Sequence, residues 1–418
     1  MVHSEISKLE LIQARISFIP KGWQLDKVGE ALNIKNNFRK PISQEVRSLI
    51  PGPYPYYGPT KIQDYISDYE QDGTYALIGE DGDHFLKYES MRQTQFISGK
   101  CTVNNHAHII ESSNTCDSEW FYLYFQHRNI TNFLSRQGAG RFKLNKATLE
   151  KLPLLVPPLL EQQKIVKILS TWDKAISTTE RLIENSTQQK KALMQQLLTG
   201  KNRLLDDEGK RFEGEWELKK VSDYFDVSSS KRVLQEDWKD EGVPFYRTRE
   251  LVSLAKNEPF RSSIYIAEDY YEELITKYGM PDEGDFLVSG VGTLGIIYQV
   301  RENDKFYFKD GNVLWFKKEK EVSSDFFKYC FLSDYIQNQI NIQASVTTVG
   351  TYTITNAKKT RFHCPPLAEQ QKIATVLTNA DKEIELLEQQ LADLQQEKKA
   401  LMQVLLTGKK RVVVDGEG

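Results

Sequence analysis

Residues 157–203 read PPLLEQQKIVKILSTWDKAISTTERLIENSTQQKKALMQQLLTGKNR, and residues 365–411 read PPLAEQQKIATVLTNADKEIELLEQQLADLQQEKKALMQVLLTGKKR. The second copy follows the first by 208 positions along its whole length, without a gap. By direct count, 26 of the 47 positions are identical. A match of that length is an internal repeat, and it divides the chain into two half-molecules of similar plan. Two similar halves offer two similar surfaces.

Within each copy the apolar residues recur at alternating steps of four and three. The second copy puts Ile373, Leu377, Ala380, Ile384, Leu387, Leu391 and Leu394 on one stripe, skips a site at Lys398, and resumes at Leu401 and Leu405. The first copy puts Ile165, Leu169, Trp172, Ile176, Ile183, Leu193 and Leu197 at the equivalent sites, with Thr179, Ser186 and Lys190 between them. That spacing is the heptad signature of a helix packed along a partner helix. Each helix is expected to start after the double proline and to end at Thr-Gly (Gly200, Gly408), residues that favour helix starts and stops. About 40 residues at ~1.5 Å each make a rod of roughly 60 Å. A small domain cannot cover so long a stripe, so the two copies are expected to pair with each other, antiparallel. The alternative is two separate amphipathic helices, each lying on its own domain.

Residues 1–156 and 204–364 differ in kind from the repeats. They alternate short runs of Tyr, Phe, Val and Ile with turn residues, which predicts mostly strands with a few helices. They share an opening, Trp23-Gln24-Leu25 against Trp216-Glu217-Leu218, and then diverge. The expected fold is α+β. Two globular, mainly-β segments (1–156 and 204–364) are separated by a pair of long antiparallel coiled-coil helices (157–203 and 365–418), with an internal pseudo-twofold repeat.

Bulk properties narrow the function. A chain of 418 residues holds two or three domains. Its net charge of −3 supplies no global basic field, so any nucleic-acid contact must come from local patches or from partners. Cys101, Cys116, Cys330 and Cys364 form no CxxC pair, which fits reduced thiols. No signal-peptide core and no apolar run near the ~18 residues of a membrane span is present. The expected location is the cytoplasm, with no membrane partner.

Most motifs of catalysis are missing. Gly290-Val-Gly292-Thr-Leu-Gly295 matches GxGxxG, but it runs into Ile296-Ile297-Tyr298-Gln299-Val300, a strand-forming run. A dinucleotide site needs a helix there. A strand, a tight glycine turn and a second strand are expected instead. Asn104-Asn105-His106-Ala107-His108 sets two imidazoles at i and i+2, on one face if the segment is a strand. No other His or Cys cluster completes a metal shell, so no metal is expected. No phosphate-binding GxxxxGK[ST] loop, adenine-methylase motif, nucleophile site or nuclease motif is found, and the chain reads as non-catalytic.

Cationic, amide and aromatic side chains concentrate in short stretches. The first segment offers Arg39, Lys40, Tyr57, Lys61, Asn104, Asn105, His106, Arg136, Gln137, Arg141 and Lys143. The second offers Lys231, Arg232, Arg247, Arg249, Thr293, Thr347 and Thr348. Arg, Asn and Gln read base edges, while Lys and Arg hold phosphates. Surface loops are polar in any protein, but here the same kinds of cluster occur in both halves.

The sequence resembles the specificity subunits of type I restriction–modification systems. The resemblance rests on Pro-Pro-Leu-x-Glu-Gln-Gln-Lys-Ile at 157–165 and 365–373, and on Lys-Lys-Ala-Leu-Met-Gln-x-Leu-Leu-Thr-Gly-Lys at 190–201 and 398–409. The Trp-x-Leu openings, Tyr54–Lys61 and Leu77-Ile78-Gly79-Glu80-Asp81-Gly82 add to it. It implies two target recognition domains, each reading one half of a bipartite, asymmetric double-stranded DNA sequence. It also implies two methyltransferase partner subunits, which carry S-adenosylmethionine, and restriction/translocase subunits beyond them. The chain itself would bind no cofactor. Two other readings stay open: the recognition subunit of a related phage-defence methylation system, and a coiled-coil scaffold that does not read DNA.

Overall fold

The computed structural model describes residues 6–137, 141–258, 264–344 and 350–414. Two compact units emerge. One comprises residues 1–180 with 390–418, the other residues 181–389. Each unit therefore takes part of both long helices, Leu159–Leu197 and Leu367–Leu405.

The first unit is organised by a six-stranded sheet. Its order is Asn33–Ile34, Ala107–Glu111, Gln71–Gly79, Thr94–Val103, Pro51–Tyr57 and Ile62–Ile66. Neighbours run antiparallel except Pro51–Tyr57 against Thr94–Val103, where Tyr57 pairs with Val103 in parallel. Alternation along Gln71–Gly79 sends Tyr75 and Leu77 to one apolar cluster and Ala76 and Ile78 to another, as the period of two requires. The helix Ser118–Phe125, capped by the Asp117 carboxylate, buries Trp120, Phe121, Tyr124 and Phe125 in that second cluster.

The second unit carries two four-stranded sheets. One orders Phe225–Ser228, Val313–Lys318, Phe286–Ser289 and Ile297–Gln299. The other orders Trp238–Lys239, Tyr265–Ile266, Val243–Tyr246 and Tyr307–Phe308, the last pair parallel. The GxGxxG stretch joins Phe286–Ser289 to Ile297–Gln299, which pair antiparallel. It is a strand–turn–strand, as the residues after it require.

Within each unit the helix segments pair antiparallel. In the first, Glu161 bonds Arg411 and Asp173 bonds Lys398. In the second, Lys190 bonds Asp381, Ser186 bonds Glu383 and Arg203 bonds Glu369. The stripe is the buried or half-buried face, and Val166, Leu198, Ala374 and Leu406 beside it are buried as well. Ile165, Leu169, Leu197, Ile373, Leu377 and Leu405 are buried. Trp172, Ile176, Ile183, Leu193, Ile384, Leu387, Leu391, Leu394 and Leu401 are half-buried. Leu182 and Leu386, off the stripe, stay exposed. Lys398, where the apolar pattern skips, is itself buried on the stripe.

One junction recurs in both units and explains the most repeated residues. The Glu161 carboxylate, 3 % exposed as a side chain, accepts from Trp23 Nε1 at 2.9 Å and from Arg411 Nε and Nη2 at 2.6 Å. Glu369, 0 % exposed, accepts from Trp216 Nε1 at 3.2 Å and from Arg203 Nε at 2.6 Å and Nη2 at 2.7 Å. Gln162 donates to the Pro157 carbonyl and accepts from Asp117 N–H; Gln370 donates to the Pro365 carbonyl and accepts from Ser323 N–H. Short antiparallel ladders, Gln24–Lys27 with Pro153–Val156 and Glu217–Lys220 with Arg361–Cys364, tie each globular segment off at its two ends. Gly200 and Gly408 close the helices at φ +69° and +67°, the left-handed cap that favours glycine.

Candidate nucleic-acid interface

In the first unit the loops at one end of the sheet are stitched together by backbone bonds. Asn104 N–H donates to the Tyr57 carbonyl (3.0 Å), Glu80 N–H to that of His106 (2.8 Å), and Leu144 N–H to that of Glu80 (2.8 Å). The second unit repeats this pattern: Lys309 N–H to Tyr246 (2.8 Å), Gly290 N–H to Asn312 (2.8 Å) and Tyr352 N–H to Gly290 (2.9 Å). The bridge Asp81–Lys143 likewise matches the bridge Val291–Thr351. Segments 57–61, 80–83, 104–106 and 141–144 thus correspond to 246–250, 290–293, 309–312 and 350–352.

Most candidates of the first unit gather here. Arg39 Nη1 bonds the Glu80 carboxylate at 2.7 Å and the Asn105 carbonyl at 3.0 Å, and Lys143 Nζ lies 3.2 Å from Glu80. Burial pushes the Glu80 carboxyl up, but hydrogen bonds from Arg39 and Lys143 outweigh it and hold the group below its ordinary value. Lys40, on the same segment as Arg39, pairs with Glu70. Lys61 and Asn105 are exposed, and Tyr57 is half-buried. Asn104 is buried; it donates to Gln63 Oε1 at 3.0 Å and accepts from His106 N–H at 2.8 Å.

The two histidines do not share a face. His106 sits in the turn before the strand Ala107–Glu111, exposed, with Nδ1 3.2 Å from Asp81. His108 is buried: Nδ1 accepts from Asn36 Nδ2 (2.8 Å), so Nε2 carries the proton and donates to the Leu144 carbonyl (2.7 Å). Burial holds its pKa below the usual histidine value. Alternation fails between them because the strand begins only at Ala107. Arg136, Gln137 and Arg141 lie on a hairpin, Ser135–Gln137 with Arg141–Lys143; their side chains are outside the described residues.

In the second unit, Lys231 and Arg232 are exposed. Lys231 N–H donates to Tyr307 Oη at 3.1 Å, and Arg232 Nε lies 3.7 Å from Asp310. Thr293 is exposed in the glycine loop. Arg247 and Arg249 both bond one buried carboxylate, Glu250. Thr347 and Thr348 lie outside the described residues.

Sequence reasoning missed Glu80 and Glu250, the carboxylates that hold the cations. For Glu250 a local signal exists: it is the third residue of Thr248–Ala255 and accepts from Arg247 N–H, as a capping glutamate does. For Glu80 none exists, because its partners come from residues 39 and 143. Lys61, Asn105 and Thr293 leave exposed cationic, amide and hydroxyl groups at these loops, beside the carboxylate-paired cations. Among the described residues, no group of three or more His, Cys, Asp or Glu side chains could hold a metal ion, and no helix is long and apolar enough to cross a membrane.

Comparison with known proteins gives a consistent result. The family model described as the type I restriction modification DNA specificity domain matches residues 20–186 and again 213–396. A putative type I restriction enzyme specificity subunit of Haemophilus influenzae is 31% identical over 83% of this chain and 85% of its own length. The type I restriction enzyme MjaVIII specificity subunit of Methanocaldococcus jannaschii is 26% identical over 94% of both chains. Among solved structures, the S subunit of a type I restriction-modification system from M. genitalium superposes with a TM-score of 0.61 at 14% identity, covering 93% of this chain and 99% of that one. It shares the fold. With two copies of the family's domain and matching relatives along most of its length, this chain belongs to the type I restriction–modification specificity subunits.

Proposed function

We propose that each unit reads one half of a bipartite, asymmetric double-stranded DNA target, and that the paired helices set the gap between the half-sites. The observation that carries this reading is the loop convergence found in both units on the same backbone bonds. One frame with unlike side chains is what two unlike half-sites require. Arg39, Glu80 and Lys143 stand at one convergence; Arg247, Arg249 and Thr293 stand at the other.

The chain docks two methyltransferase subunits on its repeated helices and, through them, the restriction/translocase subunits. Repeated surfaces suit two copies of one partner. S-adenosylmethionine belongs to the methyltransferase, which also extrudes the target adenine; the specificity chain carries out no chemistry alone. The modest net charge of −3 supports sharing the basic surface with those partners.

The test is co-expression with the cognate methyltransferase followed by long-read methylome sequencing. A single bipartite motif with a fixed gap is expected. Exchanging residues 204–364 for those of a relative changes one half-site and leaves the other; a change in both halves, or an unbroken motif, refutes the reading.

A further inference from the structure

The cations of the second unit fall into two kinds. Lys231 and Arg232 are exposed, and the nearest carboxylate to Arg232 stands 3.7 Å away. Exposed, solvated cations of that sort suit phosphates. Arg247 and Arg249 are built differently. The Glu250 carboxylate, 2 % exposed, accepts from Arg247 Nε (3.1 Å) and Nη2 (2.7 Å) and from Arg249 Nε (3.3 Å) and Nη2 (3.0 Å). It also accepts from Arg247 N–H at 3.1 Å, so the helix start fixes the carboxylate itself. Arg247 is 30 % exposed and Arg249 is 72 %.

A shared carboxylate cancels one of the two positive charges, which is a poor device for attracting phosphate. What it confers is orientation. Arg249 is held by its Nε edge while most of its surface faces solvent, so its rotamer freedom is reduced before anything binds. A guanidinium held at a fixed angle is matched to two acceptors in one plane. In the major groove, guanine O6 and N7 present that pair, and no other base does. The loop also stands beside Gly292, where a Cβ would come within 4.0 Å of Thr248 Cγ2.

We propose that Arg249 reads a guanine in the half-site of the second unit, with Glu250 as the positioning residue that aims it. The inference rests on the DNA-recognition reading above and assigns one base of it. The test uses the complex of this chain with its methyltransferase, scored by long-read methylome sequencing and by methylation of duplexes varied at single positions. Arg249→Ala and Arg249→Lys are expected to lower the preference for guanine at one position of one half-site by roughly ten- to a hundredfold. The other half-site and the gap stay as they were. Glu250→Gln weakens selectivity at that same position, and it overturns the positioning role if that position is unaltered. Full selectivity in Arg249→Lys, or a uniform loss at all sequences with a shallower salt dependence in Arg249→Ala, overturns the base contact and leaves DNA recognition standing. A wild-type complex that methylates no bipartite motif overturns both.

Discussion

Lys398 Nζ lies 2.6 Å from an Asp173 carboxylate oxygen within the first unit, and in the second unit Lys190 pairs with Asp381. The repeat offset carries Asp173 onto Asp381 and Lys190 onto Lys398, so one ion pair is built twice. The lysines occupy sites on the apolar stripe, and Asp381 also accepts from Tyr329 Oη at 2.6 Å. A charged residue on a coiled-coil stripe fixes register at some expense of stability.

Removing one partner of that pair strands the other. Asp173→Ala leaves the Lys398 ammonium, buried to 7 % exposure, without its carboxylate, and is expected to destabilise the first unit by about 1–3 kcal/mol. The double variant Asp173→Ala with Lys398→Leu restores the apolar stripe and recovers most of that loss. Urea unfolding of the three proteins checks it; a double variant no better than the single one defeats the argument.

The junction glutamates are a sharper test. Glu161→Ala deprives Trp23 Nε1 of its acceptor and Arg411 of its carboxylate, leaving Arg411 its bond to the Lys21 carbonyl. Arg411 is partly solvated, so the expected cost is about 2–3 kcal/mol rather than the full value for a buried pair. Glu369→Ala should act alike in the second unit, through Trp216 and Arg203. Thermal unfolding of the two variants measures this, and an unchanged Tm in either contradicts it.

Acid sensitivity should trace to a histidine. Burial pulls the His84 pKa down to about 4, against the opposing pull of Asp81 and Asp83. As pH falls, the unfolded chain takes up the proton first, so the contribution is complete above about pH 6.5 and is lost on the way down to about pH 4. The loss over that window is about 3 kcal/mol. Stability measured from pH 7 to pH 4 should fall less steeply in His84→Gln; parallel curves for variant and wild type would rule this out. The site is tight, since a Cβ on Gly79 would sit 2.6 Å from His84 Nε2.

The spacer reading has its own test. Four residues inserted after Glu180 and four after Gln389 lengthen both helices by about one turn, roughly 6 Å each. The methylated motif should keep both half-sites and widen its gap. An unchanged gap in the methylome counts against the helices as its determinant.

The helices were legible in the sequence because every signal for them is local: the alternating steps of four and three, the double prolines, Gly200 and Gly408. The glycine turn at 290–295 was legible too, from the strand-forming Ile296–Val300 after it. Sheet order was not, because pairings such as Tyr57 with Val103 close loops of tens of residues. The candidate contacts were found as residue types but not as an arrangement. Whether Asn104 is buried, or which cations Glu80 and Glu250 hold, depends on side chains brought together by the fold. Lys398 looked like a gap in the stripe, since its partner Asp173 lies 225 positions away.

The twin junctions also bear on how the globular segments could be exchanged. Each globular segment meets its frame through a tryptophan bonded to a junction glutamate, through glutamine bonds, and through an apolar core shared with the helices. Glu161, Gln162, Glu369 and Gln370 repeat the same polar contacts in both units, whatever globular segment lies between them. Recombination between the repeated stretches of the gene would then pair new globular segments on one frame while keeping these polar contacts.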